Sequence, residues 1–238
     1  LLMKCLIIIP AYNEAESIEK LVDNLIQNYP QYDYIIINDG STDATEEICI
    51  KNHYQVLNLP INMGIGGAVQ TGYCYARDNG YEAAVQIDGD GQHDVSFLSE
   101  MLKPLEDGQA DIVIGSRFVE KEGFQSSWLR RVGIRFLSNL GWLLTGSRVK
   151  DITSGFRVVD RRFIKIFSQD YPADYPEPEA VVIASVYGGR IAEYPVVMKE
   201  REKGESSITL KKSIYYMCKV SLAMIVRRIS FGVRRQEG

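Results

Sequence analysis

Ala83-Ala84-Val85-Gln86-Ile87-Asp88-Gly89-Asp90-Gly91-Gln92-His93-Asp94 is the stretch on which the reading of this 238-residue chain turns. Its first five residues form a nearly unbroken apolar run, without alternation of polar and apolar positions. Such a run fits a strand covered on both faces by helices. It then opens into glycines and carboxylates. Asp88 and Asp90 stand two residues apart, so both side chains leave the backbone on roughly the same side. Two carboxylates that close repel unless a cation sits between them or one takes up a proton. Hard oxygen ligands suit Mg²⁺ or Mn²⁺, which keep water and substrate phosphates as their other ligands. In isolation an Asp-x-Asp is a solvated strand exit, so the neighbours decide the case.

Working outward, similar apolar runs fall at 6–9, 34–37, 55–59 and 111–115, separated by helix-like segments at 14–28, from the cap cluster Ser41-Thr42-Asp43 to 52, at 64–78 and at 97–105. Regular β-α alternation predicts an α/β protein: a mainly parallel open sheet with right-handed crossovers and helices on both faces. Ligands in such sheets bind beyond the carboxyl ends of the strands. Pro10 to Glu14, Asn38 to Asp43, Asp88 to Asp94 and Ser116-Arg117 all fall there. Further on, 128–144 reads as a helix, 151–157 as a turn, 177–187 as a helix, and 190–199 as a late edge strand interrupted by Pro195. Gly64-Ile65-Gly66-Gly67 follows the third strand rather than the first. That placement disfavours a dinucleotide-binding dehydrogenase and suits a tight turn with close helix packing.

The composition, 45% hydrophobic and 24% charged, is that of a globular protein with one large core. We expect one domain over 3–207 and a basic amphipathic tail over 208–238. Cys5, Cys49, Cys74 and Cys218 are scattered, without a C-x-x-C pair, and the only histidines are His53 and His93. This usage predicts no disulfide framework, no zinc site and a reducing cytosol. The run from Leu6 to Pro10 is too short for a signal peptide. The net charge of −4 hides an asymmetry: from Ile208 onward seven Lys or Arg face only Glu237, so this segment is +6 and the remainder −10. Its apolar stretch from Ser213 to Val226 is broken by Lys219 and is shorter than the roughly 20 residues that span a bilayer. It reads as an interfacial helix on an anionic membrane, or as a core helix packed on the sheet. No nucleic-acid partner is expected.

Pro10-Ala11-Tyr12-Asn13-Glu14, Asn38-Asp39-Gly40-Ser41-Thr42-Asp43, Asn62-x-Gly64-x-Gly66-Gly67-Ala68, Asp88-Gly89-Asp90-Gly91-Gln92-His93 and Gly115-Ser116-Arg117 together resemble the family 2 glycosyltransferases of GT-A fold. The later Asp151-x-Thr153-Ser154-Gly155-Phe156-Arg157 and the loop 201–207 look like the dolichyl- or polyprenyl-phosphate sugar transferase branch. The resemblance implies that Pro10, Tyr12, Glu14, Asp39 and Asp88-Gly89-Asp90 bind a nucleotide sugar. It implies that Asp90 is the direct metal ligand, with Asp88 and Gln92 beside it, for Mg²⁺ or Mn²⁺. A ring at Tyr12 can flank a base and a carboxylate at Asp39 can accept from ribose or base N–H groups, whereas Asp43 suits helix capping. A loop histidine such as His93 is read as structural.

The resemblance implies that Arg117 is a catalytic and nucleotide-sugar-binding residue whose guanidinium clamps phosphate; a surface salt bridge is the alternative for a lone arginine. Arg130, Arg131 and Arg135 share a helix, and the spacing of Arg131 and Arg135 puts them near one face, as an acceptor phosphate needs. Arg201 and Lys203 would close over the diphosphate from a loop hinged at Gly204. Ser207 stands where the branch commonly has Lys, which weakens the acceptor assignment. Glu177 and Glu179 stand near the acidic base of hydroxyl-transferring relatives; helix N-terminal charge explains them equally well. The expected activity is inverting, metal-dependent hexosyl transfer to a polyprenyl phosphate at the cytoplasmic membrane face. An anionic membrane surface or a small membrane protein is the expected partner. Transfer to a sugar hydroxyl in surface polysaccharide assembly is the nearest rival, and a catalytically silent nucleotide-sugar-binding scaffold is the rival of another class.

Overall fold

The computed structural model describes residues 3–119, 128–197 and 210–234. Its centre is a seven-stranded sheet of β1 (Cys5–Ala11), β2 (Asp33–Asn38), β3 (Val56–Asn58), β4 (Ala83–Gln86), β5 (Ile112–Ser116), β6 (Arg157–Asp160) and β7 (Ile191–Pro195), in the order β3-β2-β1-β4-β6-β5-β7. The β1–β2, β2–β3, β1–β4 and β5–β7 pairs are parallel. β6 runs antiparallel between β4 and β5. The helices are α1 (Ile18–Asn28), α2 (Thr45–Lys51), α3 (Gly64–Asp78), α4 (Leu98–Glu106), α5 (Trp128–Thr145), α6 (Arg161–Gln169), α7 (Pro176–Val186) and α8 (Leu210–Arg234).

The unbroken apolar runs are buried on both faces. In β1, Leu6 and Ile8 enter one core with α3, α6, α7 and α8, while Cys5, Ile7 and Ile9 enter a second core with α1 and α4. Period-two alternation thus divides one strand between two interiors. Burial raises the Cys5 thiol well above its ordinary range, so it stays a neutral packing group. Close approach explains the glycines of α3. A Cβ on Gly66 would collide with the carbonyl oxygens of Pro172 and Ala173, and one on Gly72 with Ile8.

Several expectations need correction. The segment read as a turn over 151–157 ends in β6, the sheet's antiparallel member, followed by α6. The first helix begins at Ile18 instead of Glu14, because Asn13 to Ser17 are engaged elsewhere: Asn13 N–H donates to Ser41 Oγ and Glu14 N–H to Thr45 Oγ1. The N-cap of α2 is Ala44, without a side-chain cap. Asp43 instead bridges two loops, accepting from Thr45 N and Ala15 N. The late strand is the sheet edge, as its proline demands, and ends at Pro195.

Asp111 ties that edge down. Its Oδ2 accepts from Arg190 N and Nε at 2.7 and 3.1 Å, and its Oδ1 from Nη2 at 2.6 Å. The Arg190 hydrogen bonds hold this carboxyl below the usual carboxylate range, against the opposing effect of burial. A depressed carboxylate stabilises the fold above its unfolded pKa, about 4, and that stability is lost as pH falls through the folded value. Acid unfolding followed by circular dichroism is expected to show this loss below about pH 4. Asp111→Asn should remove that part of the pH dependence, and an unchanged profile would contradict the assignment.

α8 packs on the core along one side, as the core-helix reading expects, and leaves apolar residues exposed along another. Val220 and Met224 are buried in the core, while Tyr215, Leu222, Val226 and Ile229 form an exposed stripe at helical spacing. Lys219, the charge that interrupts the run, pairs with Asp174 at 2.6 Å, and Arg227 pairs with Asp170 at 2.9 Å. Among the described residues no helix is long and apolar enough to cross a membrane.

Candidate active site

The chain winds from β1 through β2 to β3, then crosses back to place β4 on the other side of β1. That reversal leaves a crevice beyond the carboxyl ends of β1 and β4, where open α/β sheets bind ligands. A cavity of about 430 Å³ opens there, lined by Pro10, Ala11, Tyr12, Glu14, Asp39, Asn62, Gly64, Ile65, Ala68, Asp88, Gly89 and Asp90. Seven residues named from sequence for the nucleotide sugar, Pro10, Tyr12, Glu14, Asp39, Asp88, Gly89 and Asp90, therefore come together. Arg117 is not on this lining. Arg201 and Lys203 lie outside the described residues, as does the side chain of Arg130.

Asp39 is buried and its Oδ1 accepts from Met63 N at 2.7 Å, which fixes the loop that leads into α3. Tyr12 is 48% exposed, a ring on the cavity wall that a flat base can cover. Asp88 is gripped from three directions: its N–H donates to His93 Nδ1 at 3.1 Å, its Oδ1 accepts from Gln86 Nε2 at 3.2 Å, and its Oδ2 lies 3.7 Å from His93 Nε2. His93 is buried and stacked on Phe156, with centroids 5.1 Å apart. Because Nδ1 accepts, the proton of the neutral ring is on Nε2, the nitrogen nearer the Asp88 carboxylate. His93 is thus a support for Asp88. Asp90 Oδ1 accepts from Gln92 N at 3.1 Å, which curls the loop after the second carboxylate.

Gly155 packs against this group from below. A Cβ added there would lie 3.0 Å from Gln86 Nε2 and 3.2 and 3.4 Å from the two Asp88 carboxylate oxygens. Gly155→Ala is therefore expected to displace Asp88 and lower turnover on the order of tenfold or more, with little change in melting temperature. Steady-state kinetics beside a thermal melt check this, and turnover equal to the parent's would refute it.

Among the described residues no three His, Cys, Asp or Glu side chains converge into a closed metal cage. Two carboxylates on one cavity wall suit a hard cation completed by water and substrate phosphates.

A second, larger groove of about 830 Å³ runs along α5. Its lining is both cationic, with Arg131, Arg135, Arg148 and Lys150, and apolar, with Phe118, Val119, Ile134, Trp142 and Val149. Arg131 and Arg135 share one wall, as their spacing predicts. The Arg148 guanidinium stacks 4.8 Å from the Trp142 ring centroid. Arg148, Lys150 and Trp142 were missed in sequence; the signal was the basic pair just before Asp151. Arg117 sits one residue from this groove, and its Nε and Nη2 each donate to Asp151 at 2.7 Å. The Asp151 side chain is fully buried and that of Arg117 is 11% exposed. Arg117 therefore forms a buried salt bridge, not a surface one.

Glu177, at the start of α7, has its carboxyl pushed up by burial; the Arg157 charge opposes that shift and Asp88 adds to it. Burial also raises Glu179, which faces Arg227 of α8 at 3.8 Å.

This combination of fold and crevice has known counterparts. The profile of "Glycosyl transferase family 2" matches residues 6–167, and the chain belongs to that family. It is a glycosyltransferase of GT-A fold. UDP-N-acetylglucosamine–dolichyl-phosphate N-acetylglucosaminyltransferase of Methanococcus voltae is 33% identical over 210 residues, 80% of this chain and 83% of that protein. Undecaprenyl-phosphate mannosyltransferase of Micrococcus luteus is 30% identical over 217 residues, 87% of this chain and 88% of that protein. Among solved structures, glucosyl-3-phosphoglycerate synthase from Mycobacterium tuberculosis, in complex with Mn²⁺, UDP-glucose and phosphoglyceric acid, has a TM-score of 0.69 at 20% identity, covering 95% of this chain and 80% of that chain. This last likeness is one of fold.

Proposed function

We propose that this protein transfers a sugar from a nucleotide-sugar donor to a polyprenyl phosphate, with inversion at C1 and with Mg²⁺ or Mn²⁺, as a peripheral protein at the inner face of the cell membrane. The observation that carries the acceptor is the groove along α5, whose walls are at once cationic and apolar. A phosphate monoester on an isoprenoid chain needs both characters together. The printed activities of the two relatives, transfer to dolichyl and undecaprenyl phosphate, support the same choice.

In this reading Tyr12 and Asp39 hold the nucleoside, and Asp88, braced by Gln86 and His93, meets the sugar-phosphate end. Asp90 and Asp88, with Gln92, would hold the metal, which when bound neutralises charge on the departing diphosphate. Arg131 and Arg135 orient the acceptor phosphate. One of its oxygens attacks C1, the bond from C1 to the diphosphate oxygen breaks, and that oxygen keeps the electron pair. An anionic phosphate needs no general base, so the raised carboxyl of Glu177 has no proton to take. The second reading, transfer to a sugar hydroxyl with Glu177 as base, needs a carboxyl that reaches the acceptor, and Glu177 lies on the lining of neither cavity. The membrane reading draws support from the exposed stripe on α8 and from Val132, Phe136 and Leu143, exposed on α5.

The test is Arg131→Met with Arg135→Met. Removing two charge-assisted phosphate contacts should raise the polyprenyl-phosphate KM by about tenfold or more, with donor affinity unchanged. An unchanged acceptor KM would remove the groove from the reaction.

A further inference from the structure

Arg157 is the largest of the fully buried side chains, 1% exposed, and it opens β6 in the middle of the sheet. Among the described residues its side-chain hydrogen bonds end on backbone carbonyls: Ser154 O from Nε and Nη2 at 3.1 and 2.7 Å, Ile152 O from Nη2 at 3.4 Å, and Glu177 O from Nη1 at 2.9 Å. Among the described residues no carboxylate lies within ion-pair distance of this guanidinium, and a buried cation held this way is a poor source of stability, for which an apolar side chain of similar volume often serves as well.

What the fork holds is the turn 151–156, and that turn touches both halves of the site. At one end Asp151 grips Arg117, beside the groove. At the other, Gly155 lies against the Asp88 carboxylate and Phe156 stacks on His93, which accepts the Asp88 N–H. Ser154 Oγ adds a bond to Gly115 O at 2.7 Å, fixing the turn to β5. We infer that Arg157 is a positioning residue: by holding the carbonyls of this turn and of the α7 N-terminus, it keeps Asp88 and Arg117 in register for transfer. The assignment rests on the reaction proposed above. The Arg157 charge also counters the upward shift that burial gives the Glu177 carboxyl and the Tyr73 and Tyr171 phenols, whose hydroxyls have no hydrogen-bond partner among the described residues.

The experiment compares Arg157→Met and Arg157→Lys with the parent, using circular dichroism, thermal melts, donor binding, and kcat measured as nucleoside diphosphate release with whichever acceptor the parent uses. Lysine keeps the charge but cannot span three carbonyls. Misplacement on the order of 1 Å costs about 10²-fold, so kcat per folded molecule should fall by about that factor in Arg157→Met. Arg157→Lys should fall in the same direction, and donor and acceptor KM should move less than about fivefold in both. A lower melting temperature with unchanged kcat per folded molecule would mark a purely structural role and overturn the assignment. So would failure of both variants to fold. If only Arg157→Met fails to fold, Arg157→Lys decides on the same criterion. A parent that uses another acceptor, or water, contradicts the polyprenyl-phosphate reading and leaves the Arg157 comparison intact; no release to any acceptor would overturn both.

Discussion

Asp90→Ala is expected to lower metal-dependent nucleoside diphosphate release by a factor on the order of 10³ or more, about 4 kcal/mol of transition-state stabilisation. The fold should survive the change. Asp90 is half-buried on the cavity wall, and the backbone bond it accepts from Gln92 is worth about 1 kcal/mol, a small part of a domain's stability. The disparity between these magnitudes makes the result readable: a thermal melt close to the parent's beside a near-complete loss of turnover. Asp90→Ala with more than a tenth of the parent's turnover would remove Asp90 from the metal set.

Asp151→Ala should have the largest effect on stability. The Arg117–Asp151 pair is closed by two 2.7 Å bonds, with the carboxylate fully buried. Removing one partner of a buried pair costs about 3–5 kcal/mol, because the other charge is left without compensation. For a chain of this size that lowers the melting temperature on the order of ten degrees. The Arg77–Asp78 pair has a similar length, 2.8 Å, but its side chains are 39% and 62% exposed, so solvent screens it and its loss should leave the melt almost unchanged. The double variant Arg117→Met with Asp151→Leu should recover most of the lost stability while leaving turnover impaired. If Asp151→Ala melts like an Asp78→Ala control, the buried pair is not the staple described here.

The sequence made the crevice beyond β1 and β4 legible because its residues follow strands whose apolar runs are unmistakable. Once β1, β2 and β4 are recognised, topology alone brings Tyr12, Asp39 and Asp90 to one crevice. β6 escaped notice for a physical reason. It has four residues, begins with an arginine and ends with an aspartate, and runs antiparallel inside an otherwise parallel alternation. Arg157 stands in the motif 151–157, but no sequence pattern could show its burial or its partners, because those partners are backbone carbonyls. Arg148 and Lys150 were missed for a related reason: they reach the groove from an irregular loop, where no helical or strand period applies. The α8 segment looked ambiguous because it is apolar on two faces, one against α5 and α7 and one exposed.

The central claim is tested most directly by nucleoside diphosphate release with Mg²⁺ or Mn²⁺, across UDP-, GDP- and dTDP-sugars, with and without a short polyprenyl phosphate. The account predicts release with one donor class, dependent on both the metal and the lipid phosphate. Donor binding that never leads to lipid-stimulated release would contradict it.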